Sequence, residues 1–217
     1  MPQNSWRARL RGLYVVTDAR MGGGHLPIAR AALGGGATIL QLRDKTTPPR
    51  PLLQIALEMR RLTREANAVL VINDRLDLAL LCEADGVHLG PDDWPLEAAR
   101  RVLGPHRLLG ASTGTPEEAR IAQKEGADYL GIGAVFPTVT KSDAGEAIGL
   151  EGLRAVLRAT TLPAAAIGGL SAANIRAIID AGAAMACVVS AVAGAGDEVA
   201  MARAARELVE KIGAGEG

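Results

Sequence analysis

The segment Gln41-Leu42-Arg43-Asp44-Lys45 continues an apolar run and alternates polar side chains along it. A strand's period of two sets Gln41, Arg43 and Lys45 on one face, where an amide and two cations can hold an anion. A strand fraying into a solvated turn would read the same way. Lysine is scarce, four residues (Lys45, Lys124, Lys141 and Lys211) against twenty arginines, and Lys45 and Lys141 both sit in polar loops. Asn73-Asp74 and Asp92-Asp93 offer oxygen ligands with no histidine beside them, which suits Mg²⁺ completed by water and phosphate oxygens. By spacing, Asp92 is as good a ligand as Asp93. The simpler reading makes Asp74 a helix cap and Asp93 part of a solvated turn.

Two further groups point to phosphate. The stretch from Phe136 to Gly149 is long for a connection in a compact domain, and such loops are often lids. It carries the hydroxyls of Thr138 and Thr140 and the charge of Lys141; an ordinary surface loop is the alternative. Ile167-Gly168-Gly169-Leu170-Ser171 ends one apolar run and opens a helix. Glycine there admits close approach of a ligand to backbone N–H groups. Val189-Ser190 ends the next run in the matching position. The layout suits one substrate with a pyrophosphate and another with a monophosphate. No nucleophile suggests itself: there is no GxSxG, Cys82 and Cys187 are far apart, and His25, His88 and His106 lack a nucleophilic partner. His88 alternates with Val87 and Leu89 and reads as a satisfied interior or strand-end residue rather than a catalyst.

These residues fall at the ends of short apolar runs. Candidate strands are Gly12–Asp18, Thr38–Asp44, Ala68–Asp74, Gly86–Gly90, Leu108–Thr113, Ala127–Val135, Pro163–Leu170 and Ala186–Ala193. Helical stretches between them include Leu52–Asn67, Leu96–Leu103, Pro116–Glu125, Leu150–Ala159 and Ala172–Ala181, with a last one over Glu198–Ile212. Strands apolar throughout, with helices in the gaps, imply parallel pairing covered on both sides. A weak repeat, seen in Gly36–Thr38, Ala84–Gly86, Gly126–Asp128 and Gly182–Ala184, places glycine where each helix turns into a strand. Eight such units predict a single (β/α)₈ barrel over 1–217, with an N-terminal extension 1–11 and a flexible tail 213–217. An open doubly wound sheet is the rival, but no GxGxxG follows the first strand. Barrels place active sites at the carboxyl ends of their strands, where these polar residues gather. Asp18 and Thr113 could instead cap the helices that follow them.

Composition narrows the partners. A chain of 217 residues with 48% hydrophobic content can bury a large core. Zero formal charge and only five aromatic residues (Trp6, Trp94, Tyr14, Tyr129 and Phe136) argue against nucleic acid or a membrane surface. No stretch approaches the roughly 20 apolar residues of a membrane span. With no signal-peptide pattern and two separate cysteines, the chain reads as cytoplasmic. Self-association into a homo-oligomer stays open.

Taken together, LYVVTD (13–18), QLRDK (41–45), VIND (71–74), ADGVHLGPDD (84–93), GAST (110–113), GADYLGIGAVFPTVTK (126–141), IGGL (167–170) and VVSAV (188–192) resemble the thiamine-phosphate synthase family. The resemblance implies a transferase that couples 4-amino-2-methyl-5-hydroxymethylpyrimidine diphosphate to a thiazole phosphate. Pyrophosphate leaves, and CO₂ as well when the thiazole is carboxylated. By motif, Gln41, Leu42, Arg43, Asp44, Lys45 and Asn73 would hold the pyrimidine diphosphate, and Asp74 and Asp93 would bind Mg²⁺. Ser112 would contact the pyrimidine. Thr138, Val139 and Thr140 would take the thiazole phosphate, with Gly169, Val189 and Ser190 completing its cradle. Arg43, Lys45 and Lys141 would neutralise the leaving diphosphate. One position departs: Gly114 stands where many relatives carry a histidine. Thiazole tautomerase paralogues use a histidine in that region for proton transfer, so its absence favours the synthase over a tautomerase. A non-catalytic thiazole-phosphate binder is the third reading. Trp94-Pro95 is unexplained beyond a helix start.

Overall fold

The computed structural model describes residues 9–138 and 146–214. Eight parallel strands close into a barrel in sequence order. They are β1 (Gly12–Thr17), β2 (Ile39–Leu42), β3 (Val69–Asn73), β4 (Gly86–Leu89), β5 (Leu108–Thr113), β6 (Tyr129–Ile132), β7 (Ala164–Ile167) and β8 (Met185–Val188). Between and after them run α1 (His25–Gly34), α2 (Pro49–Glu65), α3 (Leu76–Leu81), α4 (Leu96–Leu103), α5 (Pro116–Lys124), α6 (Gly149–Arg158), α7 (Ile175–Asp180), α8 (Ser190–Ala193) and α9 (Glu198–Gly213). β1 pairs with β8 as well as β2, with Val15 opposite both Leu40 and Val188, so no edge is left exposed.

The strands are mostly apolar because both faces are buried. Tyr14 and Val16 of β1, Ile39, Val69, Val71, Leu108, Tyr129, Ala165, Met185 and Cys187 fill the barrel interior. The alternate residues, among them Leu13, Val15, Leu40, Leu42, Leu70 and Ile72, pack outward with Ile28, Met59, Leu153 and Met201 of the helices. Each fully buried Leu or Ile contributes roughly 1.5–3 kcal/mol.

The repeated Ala-Asp before a strand has a physical basis. Asp85 takes the amide of Leu70 at 2.8 Å and pairs with Arg60 at 2.7 Å. Asp128 takes the amide of Leu109 at 2.9 Å and pairs with Arg100 at 2.5 Å. Arg100 also donates to the carbonyls of Gly104, Arg107 and Gly126, tying three turns together. This is the amino-terminal rim, the stability face of the fold. Arg100→Ala is expected to cost about 2–3 kcal/mol, because a mostly buried carboxylate loses its cation and three carbonyls lose a donor. Thermal melting should show the loss, with kinetic constants at 25 °C unchanged.

Several expected elements differ from those observed: α2 begins three residues early at Pro49, β6 spans only Tyr129–Ile132, and β7 ends at Ile167. β8 ends at Val188, and Ser190–Ala193 turns as helix α8; a short apolar run fits strand or helix equally well by pattern. The residues after Gly169 form turns first, so α7 begins at Ile175, three positions later than expected.

Candidate active site

The carboxyl-terminal rim gathers the predicted residues. β3 ends at Asn73, and Asp74 follows in the left-handed region at φ 61°, which short polar side chains tolerate. Its amide donates to the carbonyl of His88 at 3.0 Å, turning the chain toward β4. Past β4, the Asp93 carboxylate accepts the Gly90 amide at 2.7 Å and is held inward, whereas Asp92 is exposed. Burial first, then hydrogen bonding and charge from Asp93, raise the Asp74 carboxyl above its ordinary range. Lys45 works against this from 3.3 Å. The pair that converges is therefore Asp74 with Asp93. Asp74 is not a cap, since Arg75 holds the cap position of α3 and makes no side-chain cap bond.

Oxygen ligands without histidine or thiol fit a hard cation that keeps several waters. Among the described residues no three His, Cys, Asp or Glu side chains form a metal-binding group, so the site supplies at most a pair of carboxylates.

Inside the rim runs a chain of polar side chains that the sequence did not reveal. Gln41 Nε2 donates to the Tyr14 hydroxyl at 2.6 Å, and the Tyr14 and Tyr129 hydroxyls lie 3.1 Å apart. Tyr129 is 3.1 Å from His88 Nδ1, and His88 Nε2 is 3.0 Å from Ser112 Oγ. Burial pushes both phenols up, so both stay protonated and serve as links. His88 is half-buried near the end of β4 with both ring nitrogens partnered, in keeping with a satisfied interior or strand-end residue. Its ring fits because Gly110 and Gly131 flank it: an added Cβ would fall 2.5 Å from Nδ1 or 2.8 Å from Cε1. Those two glycines were the available sequence signal.

The β2 segment divides its residues between two sides. Gln41 enters the barrel, Leu42 packs outward and Lys45 reaches Asp74 with its side chain 58% exposed. Asp44 is turned away, and its carboxylate accepts from the backbone amides and hydroxyls of Thr46 and Thr47. That side chain is committed to the protein. Asp18 also binds locally, taking the amide and guanidinium of Arg20. Those Arg20 hydrogen bonds outweigh burial and bring its carboxyl to about 2, with Arg43 adding to the effect. Neither Asp18 nor Thr113 caps a helix. Gly24 and Thr115 hold those positions, and Thr115 forms a reciprocal capping pair with Glu118.

Across the mouth on the same rim, Gly168 and Gly169 both have positive φ, and a Cβ on Gly169 would fall 2.5 Å from the carbonyl of Pro137. Asn174 accepts the Ser171 amide and donates to the Gly169 carbonyl, fixing this turn; sequence reasoning missed it. Phe136 donates to the Gly168 carbonyl at 3.1 Å, and Gly149 returns to Val135 at 3.0 Å. The base of the long loop is thus seated on the glycine turn. Thr138 follows Pro137 in the chain and is half-buried, whereas Val139, Thr140 and Lys141 fall outside the described residues. Val189 precedes α8, and Ser190 is its first residue.

The thiamine monophosphate synthase family model matches residues 13–192, which spans every strand tip described above. The chain belongs to that family. It is 50% identical to the thiamine-phosphate synthase of Moorella thermoacetica over 201 residues, covering 92% of this chain and 96% of that protein. The corresponding protein of Chloroflexus aurantiacus is 49% identical, covering 91% and 92%. A solved thiamine phosphate pyrophosphorylase from Pyrococcus furiosus superposes with a TM-score of 0.89 at 43% identity, covering 98% of this chain and all of that one. The family's activity, thiamine-phosphate synthase, is a transferase step of thiamine biosynthesis, and it is the activity of this chain. Among the described residues no helix is long and apolar enough to cross a membrane.

Proposed function

We infer that the pyrimidine diphosphate binds over the tips of β2 to β5 and the thiazole phosphate over those of β6 to β8, with condensation proceeding by prior loss of pyrophosphate. The observation that carries this reading is the Asp74–Asp93 pair beneath Lys45. A lysine beside two facing carboxylates makes a place where a cation can take the carboxylates and a diphosphate the lysine. Asp74 and Asp93 would hold Mg²⁺, which when bound supplies positive charge against the departing diphosphate.

The residues of the chain do the rest. Arg43, Lys45 and Lys141 neutralise charge that grows on the leaving oxygen, while Gln41, Leu42, Asp44 through its backbone, and Asn73 seat the diphosphate substrate. Ser112 contacts the pyrimidine ring. Breaking the C–O bond sends its electron pair out with pyrophosphate and leaves a pyrimidine-stabilised cation. The lone pair of the thiazole nitrogen then forms the new C–N bond. Thr138, Val139 and Thr140, with Gly169, Val189 and Ser190, hold the thiazole phosphate so that this nitrogen faces the cation. No side chain is needed as a nucleophile.

The test is incubation of both substrates with purified protein and Mg²⁺ or EDTA, reading pyrophosphate release and thiamine phosphate by mass. Both products with Mg²⁺ and neither with EDTA are expected. Metal-independent change of the thiazole alone would indicate tautomerase chemistry, and monophosphate binding without turnover a binder.

The interior chain gives a second test. Tyr129→Phe removes the middle hydroxyl and leaves Tyr14 and His88 each short of a partner. Loss of about 1–3 kcal/mol of ordering at Gln41 and Ser112 is expected. KM for the pyrimidine diphosphate should therefore rise by roughly tenfold or more, with KM for the thiazole phosphate unchanged.

A further inference from the structure

His25 is the first residue of α1, nineteen positions from Asp44, and the sequence gives no hint that the two meet. Their side chains are 3% and 1% exposed, and His25 Nε2 lies 3.0 Å from Asp44 Oδ2. On the other side of the ring, Nδ1 lies 2.7 Å from Thr17 Oγ1, and that hydroxyl is 3.1 Å from the Gln41 carbonyl. His25 thus joins the tip of β1, the end of β2 and the segment after it.

That segment needs an external hold. Strand pairing of β2 stops at Leu42, and α2 begins at Pro49 with no side-chain cap. Between them the Asp44 carboxylate organises the turn by accepting four hydrogen bonds from Thr46 and Thr47. All four come from within three residues, so they shape the turn without fixing it to the barrel. Among the described residues, His25 is the hydrogen-bonding partner of that carboxylate from another element. Burial works against the Asp44 anion, yet the Thr47, His25 and Thr46 bonds together hold it well below the usual carboxylate range. Arg43 and Lys45 flank Asp44 directly: Lys45 reaches Asp74 at 3.3 Å, and Arg43 is near enough to Asp18 at the tip of β1 to lower its carboxyl.

We propose that His25 is a positioning residue, holding the Asp44 turn against the barrel so that Arg43 and Lys45 meet the diphosphate. This rests on the reading that those cations bind the leaving group. The side of the ring that matters is Nε2, and two substitutions separate the sides. In His25→Asn the amide takes the place of Nδ1, keeping Thr17 and losing Asp44. In His25→Gln it reaches the place of Nε2 and keeps Asp44.

The experiment is calorimetric binding of pyrophosphate with Mg²⁺ to both variants and the unsubstituted protein, with KM for the thiazole phosphate and thermal melting alongside. His25→Asn is expected to weaken pyrophosphate binding by on the order of tenfold to a hundredfold, the scale for displacing a supporting shell. His25→Gln should stay within about threefold, half a decade or some 0.7 kcal/mol. KM for the thiazole phosphate should hold steady in both. A purely structural role would lower the melting temperature without this split. Equal binding by the two variants, or the reverse order, overturns the proposal while leaving the functional reading intact. Failure of the unsubstituted protein to bind pyrophosphate with Mg²⁺ instead removes the functional reading, and the proposal with it.

Discussion

Asp74→Asn is expected to lower kcat by about 10³-fold, since it removes half of the carboxylate pair and several kcal/mol of charge stabilisation with it. The substitution isolates that effect. Asparagine is among the residues most at ease in the left-handed region, so φ of 61° adds no strain to the variant. The fold should not suffer. Burial and Asp93 raise the Asp74 carboxyl above its unfolded value, so its contribution to stability is present at low pH and lost as pH rises through the folded value. At neutral pH the charged Asp74 is therefore a burden on the metal-free protein. The melting temperature of the metal-free variant should equal or exceed that of the parent at pH 7, with any advantage fading in acid. The same linkage means that Mg²⁺ competes with a proton at this pair. The Mg²⁺ concentration for half-maximal rate should accordingly rise as pH falls. Steady-state rates, melting curves and Mg²⁺ titrations at several pH values check all three points.

Lys141→Ala is the second large effect, a fall in kcat on the order of 10²-fold, the scale for losing one donor to developing charge. Lys141 falls outside the described residues, but the loop that carries it begins and ends on the barrel through Val135, Phe136 and Gly149. Its charge is needed most when the C–O bond breaks, so kcat should fall more than KM for the pyrimidine diphosphate rises. Lys45 differs, because its ammonium already has Asp74 at 3.3 Å. Unchanged turnover in Lys141→Ala would remove that lysine from the reaction.

What the sequence disclosed, and what it withheld, follows from the range of the interactions. The barrel was legible because both strand faces are buried, which makes the strands mostly apolar runs such as Val69 to Ile72. Asp74 was legible as a strand-end residue, and neighbouring strands in a barrel bring it to Asp93. Spacing alone did not separate Asp93 from Asp92; the fold does, through the Gly90 turn. Tyr14 and Tyr129 fell within apolar runs and read as core. Their hydroxyls matter only because β1 and β6 face each other across the interior. His25 was passed over because its partner Asp44 lies on a different element. The motif places Asp44 with its neighbours at the substrate, and only the fold shows its carboxylate bound by Thr46, Thr47 and His25.

The most direct test of the central claim is electron paramagnetic resonance of Mn²⁺, titrated into the protein with saturating pyrophosphate in place of Mg²⁺. One tightly held ion per chain is expected, lost in both Asp74→Asn and Asp93→Asn and retained in Asp92→Asn. Retention of that ion by both of the first two variants would contradict the account.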